Sequence, residues 1–258
     1  MAAKVKTALV FAATGAVSAG VAHALAQGGA HVHLSARRAD AISLLATEIE
    51  KSGGKASVAT VDATDESAVR TYVDGIAQNA DGIDIVFNGI GGRPATLGYP
   101  ARAAEMTLAQ FLIPMQRIVG SQFLTARETA RHMSRRRSGS IVMLSATLSG
   151  GAFSLMSGIS AACGAIEALT RSLAGEYGGF GVRVNCVRGS AMPETRTIQD
   201  TFAGRAALLG DVAGGSGGTL LGRPVTVAET AAAVGYLASD AASGITGQVL
   251  TVCAGQFV

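Results

Sequence analysis

Apolar positions along the chain fall into two alternating patterns. Short apolar runs stand at 7–12, 30–36, 56–61, 83–87, 140–144, 182–187 and 248–252. Each has the length and bounding turns of a buried strand. Between them lie segments whose apolar residues recur every three or four positions, the spacing of one helical face. Residues 19–27 place Val21, Ala24 and Leu25 this way, and 40–51 place Ile42, Leu45 and Ile49. Further helices are predicted over 65–78, 105–134 (as one long helix), 157–177 and 228–238. Gly28-Gly29 and Gly53-Gly54 follow two of them as stops, and Asp65 and Glu66 suit the positive end of a third. Strand–helix alternation of this length predicts a parallel sheet of about seven strands with helices on both faces. No linker divides the chain, so 1–258 reads as one domain. The irregular stretch is 188–226, with a glycine-rich core at 210–218. It reads as a flexible loop over the substrate, with plain disorder as the alternative.

Composition narrows the class. Of 258 residues, 48 % are hydrophobic and 15 % charged, the reverse of the balance of a disordered chain. The low charge points to apolar surface covered by another subunit. A net charge of +3 gives no ground for nucleic-acid binding, and the run Arg131-His132-Met-Ser-Arg-Arg-Arg137 reads as a solvated helix end, where cations suit the dipole. Cys163, Cys186 and Cys253 are odd in number and far apart, so neither a disulfide framework nor a metal set is visible. With no secretory leader and no apolar run of membrane-spanning length, the expectation is a cytoplasmic protein away from membranes.

Several segments look familiar. They are the turn Val10-Phe-Ala-Ala-Thr-Gly15-Ala-Val-Ser18, the stretch Leu221-Gly-Arg-Pro224 leading into 228–240, and the closing Ile245-Thr-Gly-Gln-Val-Leu-Thr-Val252. With the element order, they resemble the short-chain dehydrogenase/reductase family, in particular its ketoacyl-reductase-like branch, over nearly the whole chain. The resemblance implies a Rossmann-type doubly wound α/β fold, a nicotinamide cofactor, a small-molecule ligand and a homotetramer or dimer.

On the cofactor side the family's first turn is Thr-Gly-x-x-x-Gly-x-Gly. Here it is Phe11-Ala12-Ala-Thr-Gly15-Ala16-Val17-Ser18. All three motif glycines are replaced, and Gly15 sits between them. Glycine serves there because backbone must approach a pyrophosphate closely. Ser18 offers a hydroxyl where helix N–H groups favour phosphate, while a tight strand–helix turn with no ligand is the alternative. The second strand ends at Arg37-Arg38 with no acid, which favours the extra phosphate of NADP(H) over the free ribose of NAD(H). The resemblance places Asp62 against an adenine and Asn88-Gly89-Ile90-Gly91 where the family has Asn-Asn-Ala-Gly. The expected cofactor residues are Ala12, Gly15, Ala16, Val17, Ser18, Arg37, Asp62, Asn88 and Gly89, with no metal.

On the chemical side the family uses Asn, Ser, Tyr and Lys to manage the proton that accompanies hydride transfer. Aligned without gaps, those positions hold Ile118, Ala146, Ile159 and Cys163. The Tyr spacing of enoyl reductases falls on Met156 and fails too. Ser145 and Thr147 flank Ala146, and strand alternation turns them away from it toward a polar loop edge. Cys163 reads as packing, or as an acid or nucleophile if its pKa is lowered. Arg188 stands where the family has a Pro-Gly turn beside the nicotinamide. It reads either as a receptor for a ligand carboxylate or phosphate, or as a surface arginine. Arg93, Tyr99, Glu194 and His132 are further polar residues without a placement. Two readings stay open. One is an oxidoreductase with non-standard residues and a small, largely apolar ligand. The other is a non-catalytic relative acting as a sensor or assembly partner.

Overall fold

The computed structural model describes residues 5–209 and 218–256. Its centre is a seven-stranded parallel sheet in the order β3-β2-β1-β4-β5-β6-β7. The strands are β1 (Thr7–Phe11), β2 (His31–Ala36), β3 (Lys55–Thr60), β4 (Ile85–Asn88), β5 (Gly139–Ala146), β6 (Val182–Gly189) and β7 (Val249–Val252). The helices are α1 (Ala16–Gln27), α2 (Ala39–Lys51), α3 (Glu66–Asn79), α4 (Leu108–Pro114), α5 (Ser121–Arg136), α6 (Ser157–Tyr177), α7 (Arg196–Leu209) and α8 (Val227–Ala238). The chain is therefore the α/β doubly wound sheet that the strand–helix alternation predicts.

The period-two pattern of β1 sorts its side chains between two cores. Ala8 and Val10 pack with Val21 and Leu25 of α1, Ile42 and Ile49 of α2, and Val234 and Leu237 of α8. Leu9 and Phe11 pack with Val69 and Val73 of α3, Ala130 and Met133 of α5, and Ile166 of α6. A strand covered on both faces must be apolar on both, which is why β1 reads as a continuous run with no alternation. The helix stops hold as well. Gly29 continues the chain at φ +84° past the end of α1, a conformation a side chain would strain. Asp65 caps α3 by accepting from the N–H groups of Ser67 and Ala68.

Two expectations need correction. The single helix over 105–134 is broken. It starts at Leu108 behind a Thr107–Gln110 capping box, ends as α4 at Pro114, widens into a π-turn over Met115–Gly120, and resumes as α5. Pro114 has no N–H to return to the carbonyl four residues back, and its ring crowds that carbonyl, so the ladder shifts register. The π-turn carries Ile118. Nor is the stretch 188–226 one loop: it begins with the end of β6 and contains α7. None of α7's residues is buried, so it lacks the buried apolar stripe that marks the other long helices. The glycine-rich core at 210–217 lies outside the described residues.

Candidate active site

The order of the sheet reverses between β1 and β4. In an open parallel sheet the crevice at such a switch point, outside the carboxyl ends of the strands, is where ligands bind. A cleft of about 2000 Å³ opens there. Ala12, Gly15, Ala16, Val17, Ser18, Arg37, Asp62 and Gly89 line one end of it. Ile118, Ala146, Ile159 and Cys163 line it as well, so four positions separated by up to 45 residues of sequence meet on one wall.

The first turn keeps the shape of a glycine turn without its glycines. Ala12 adopts φ +53°, a left-handed conformation that glycine takes without strain. Gly15 caps α1 with no side-chain acceptor on the helix N–H groups, which leaves them available to an anion. Ser18 does not turn its hydroxyl to the cleft as expected; it is buried and donates to the Phe11 carbonyl at 3.4 Å. Its bulk is absorbed across the switch point, because a Cβ on Gly89 would run into Ser18 Oγ. A side chain gained at 18 is thus matched by one absent at 89.

Asn88 is a different case. Its side chain is wholly buried and does not face the cleft: Oδ1 accepts from Thr125 Oγ1 at 2.8 Å, and Nδ2 reaches the Gln122 carbonyl at 3.4 Å. It ties β4 to α5, and the expectation of a side-chain contact with a cofactor is corrected accordingly. Asp62 lines the cleft with Oδ1 occupied by the N–H and hydroxyl of Thr64. These bonds, the backbone one foremost, hold its carboxyl below the usual range. Arg37 and Arg38 follow β2 with exposed side chains.

Behind the reaction wall lies a pair that the sequence reading did not single out. Ile159, Cys163 and Glu167 follow one another at four-residue spacing along α6, hence on one face. Glu167 is buried, with 7 % of its side chain exposed against 26 % for Arg188 on β6. Arg188 grips it with both arms, Nε to Oε1 at 2.8 Å and Nη2 to Oε2 at 2.5 Å. Ser145 and Ser149 donate to the same Oε1 at 2.9 and 2.5 Å. Burial pushes the Glu167 carboxyl up, but the hydrogen bonds from Arg188, Ser149 and Ser145 outweigh it and hold the carboxyl below its ordinary value. Arg188 is therefore neither a surface arginine nor a free anion receptor, and Ser145 is a buried member of this network rather than a polar loop edge or a substitute proton donor. An acidic residue on an otherwise apolar helical stripe, with an arginine on a neighbouring strand, was the available signal.

Burial also raises the Cys163 thiol, to about 11. The thiol is held in its neutral form, and packing describes it better than nucleophilic chemistry. Among the described residues no lysine lines the cleft, and Tyr99 is the one tyrosine that does. Its hydroxyl donates to the Thr201 carbonyl at 2.7 Å. Arg93 lines the cleft too, whereas Glu194 accepts from the Val227 N–H and His132 pairs with Asp74. Among the described residues no group of three or more metal-ligating side chains comes together, and no helix is long and apolar enough to cross a membrane.

A family model described as enoyl-(acyl carrier protein) reductase matches residues 12–256. The chain belongs to the short-chain dehydrogenase/reductase family. Among its curated relatives are a 7alpha-hydroxysteroid dehydrogenase of Clostridium sardiniense, 30 % identical over 97 % of this chain and 92 % of that protein, and a cyclopentanol dehydrogenase of a Comamonas species, 30 % identical over 98 % of each. The crystal structure of an NAD+-bound xylitol dehydrogenase shares the fold with a TM-score of 0.89, 23 % identity, and coverage of 97 % of this chain and 98 % of that one. The four cleft positions Ile118, Ala146, Ile159 and Cys163 offer three apolar side chains and one thiol.

Two outcomes follow. Gly89→Ala is expected to destabilise by about 1–3 kcal/mol through overpacking, and Ser18→Gly in the same chain to recover part of that loss. A urea double-mutant cycle reads the coupling, and strictly additive effects would refute the packing match. Glu167→Ala leaves Arg188 partly buried without its partner and is expected to cost about 3 kcal/mol at pH 7. Because the folded carboxyl titrates below its ordinary value, its contribution is complete above the ordinary carboxylate range and disappears as pH falls through the lowered value. The gap between wild type and variant should therefore narrow in acid, and a gap independent of pH would show that the charge is not its source.

Proposed function

We propose that this protein is an NADP(H)-linked oxidoreductase that works on a small, largely apolar substrate without a side-chain proton donor at the reaction centre. The observation that carries the reading is the convergence of Ile118, Ala146, Ile159 and Cys163 on one wall of the cleft, with Tyr99 committed elsewhere and the Cys163 thiol raised to about 11. A shape that admits substrate is kept while the titrating groups are gone.

The cleft suits the cofactor. The open N-terminus of α1 would hold a pyrophosphate, with Ala12 in the backbone conformation that the turn requires. Arg37 would pair with a ribose phosphate, and the free carboxylate oxygen of Asp62 would take an adenine amine. When bound, the nicotinamide supplies or takes up a hydride. The wall shelters that exchange from water and leaves the accompanying proton to solvent or to the substrate itself. Loss of a positioned acid typically costs roughly 10²–10⁴ in rate where charge builds on a single oxygen. It costs less where charge spreads, as over the enolate left by reduction of a conjugated alkene, or where an imine nitrogen is already protonated. The description of the matching family model, an enoyl reductase, and the alicyclic alcohol named for the Comamonas relative are both compatible with an apolar wall.

Titrating NADPH and NADH against the protein by nucleotide fluorescence tests the cofactor half. NADPH is expected to bind saturably and more tightly than NADH, and Arg37→Ala to weaken NADPH roughly tenfold while leaving NADH unchanged. Tighter NADH binding would overturn the phosphate assignment, and failure of both nucleotides to bind would favour a non-catalytic relative. For the chemical half, simple ketones are expected to turn over negligibly in wild type and Cys163→Ala alike. Robust ketone reduction abolished by Cys163→Ala would make the thiol a catalytic residue and end this reading.

A further inference from the structure

Away from the cofactor end, the cleft is closed by α7 and by a 3-10 turn over Pro94–Leu97. Its charged residues there are Arg93, Arg117, Arg196, Asp200 and Arg205, and Arg117 donates to the Thr96 carbonyl at 3.2 Å. Asp200 faces Arg196 one helical turn away, at 3.8 Å. Arg93 is exposed to solvent. Arg205 is not so placed. It is half-buried, and its Nε is closed off from solvent with no hydrogen-bond partner among the described residues.

The stretch of α7 that carries that guanidinium is held from beneath. Tyr99, only 5 % exposed, donates to the Thr201 carbonyl of α7 at 2.7 Å. The α7 backbone lies so close to the same ring that a Cβ on Gly204 would stand 3.1 Å from it. Arg205 follows Gly204 directly. A guanidinium carries five donors and no acceptor, and it does not lose its charge near neutral pH. Leaving such a group half-buried with no partner among the described residues is unfavourable unless an anion completes it.

We propose that Arg205 is the receptor for a carboxylate on the substrate, set at the end remote from the reacting carbon. The substrate class is then a small alicyclic or acyl acid, with its apolar body along Ile159 and Cys163 and its carboxylate on α7. This rests on the proposed function only in taking that wall as the place of the apolar body. With Nε closed off, the two outer nitrogens of the guanidinium are the donors left to meet a planar monoanion through two parallel hydrogen bonds. That match is why a carboxylate is chosen over a phosphate.

Calorimetric titration of the full-length protein tests the assignment, with cyclohexanecarboxylate, its neutral isostere cyclohexanecarboxamide, and phenyl phosphate as probes, each with and without NADP+. The carboxylate is expected to bind wild type roughly tenfold or more tightly than the carboxamide. Arg205→Met, which keeps the length of the stem, should remove that preference. Arg205→Lys, which keeps the charge without the fork, should retain part of it. Thermal unfolding of both variants near the wild-type midpoint shows that the fold is intact. Equal binding of carboxylate and carboxamide to wild type, no binding of either, or a preference that survives in Arg205→Met would each overturn the proposal. Tighter binding of phenyl phosphate than of the carboxylate would overturn the choice of anion. NADPH fluorescence on the same samples separates the two readings: carboxylate selectivity that depends on Arg205 in a protein that binds no NADPH would support this inference while removing the cofactor assignment.

Discussion

A parallel sheet buried on both faces constrains everything else in this molecule. Each strand needs a crossover to reach its neighbour, and the crossovers here are helices that cover the sheet. Every strand therefore points its carboxyl end toward the same edge, and the reversal of order between β1 and β4 opens that edge into one cleft. The residues that form the cleft are scattered from Phe11 to Gln256. They are gathered by topology and not by any local motif. The shape of the wall is therefore set by the sheet and its crossovers, whichever side chains stand on it.

The Glu167–Arg188 pair shows how charge is handled behind the wall. Cys163 stands one helical turn from Glu167 on α6. The cation beside that turn comes from β6, and it is neutralised by a carboxylate that two serines also hold. The pair ties β6 to α6, and the two serines tie in the end of β5, at the point where the reaction wall is built. Its charges cancel, so the floor is neutral. A buried pair of this kind adds little net stability over an apolar substitute, and its effect lies in fixing one arrangement of the elements that bear it. Ser18 and Gly89 act the same way at the switch point, where the side chain at 18 fills the space that one at 89 would need.

The strands and the helices α1, α2, α3, α6 and α8 are legible in the sequence because each buries a regular stripe, and burial imposes the period that a reader detects. Where periodicity and burial part company, the reading fails. The 105–134 segment keeps its helical spacing through Pro114, so the π-turn is invisible unless the missing N–H is weighed above the pattern. α7 has no fully buried residue and so no buried stripe to set a period. The four wall positions are legible through alignment to the family alone, and the structure brings them together. Asn88 is legible as a position but not in its role, because a motif does not say which way a side chain points. Glu167 and Arg205 escape for a related reason: their meaning lies in a partner on another strand in one case, and in the lack of one in the other.

The charge distribution along the cleft gives these details a common physical sense. Arg37 and Arg38 stand at one end, Arg93, Arg196 and Arg205 near the other, and Arg117 lies between them beside Ile118, tied to the Thr96 carbonyl, while the Glu167–Arg188 pair behind the wall is internally neutral. Attraction for anionic groups is thus spread along the rim of the cleft, and the four wall side chains themselves carry no charge. Interactions remote from reacting atoms orient a ligand without needing to change as bonds change, and orientation alone can supply a large share of a rate enhancement. A wall without acids or bases is then consistent with catalysis, provided that the ends hold the two reactants in register and the low-dielectric middle contributes no competing charge. Placing a lysine back at Cys163 would disturb that balance, because Glu167 would stand between two cations and Arg188 would lose its exclusive hold on it. The neutral floor and the charged ends form one electrostatic arrangement, and neither can be altered without consequence for the other.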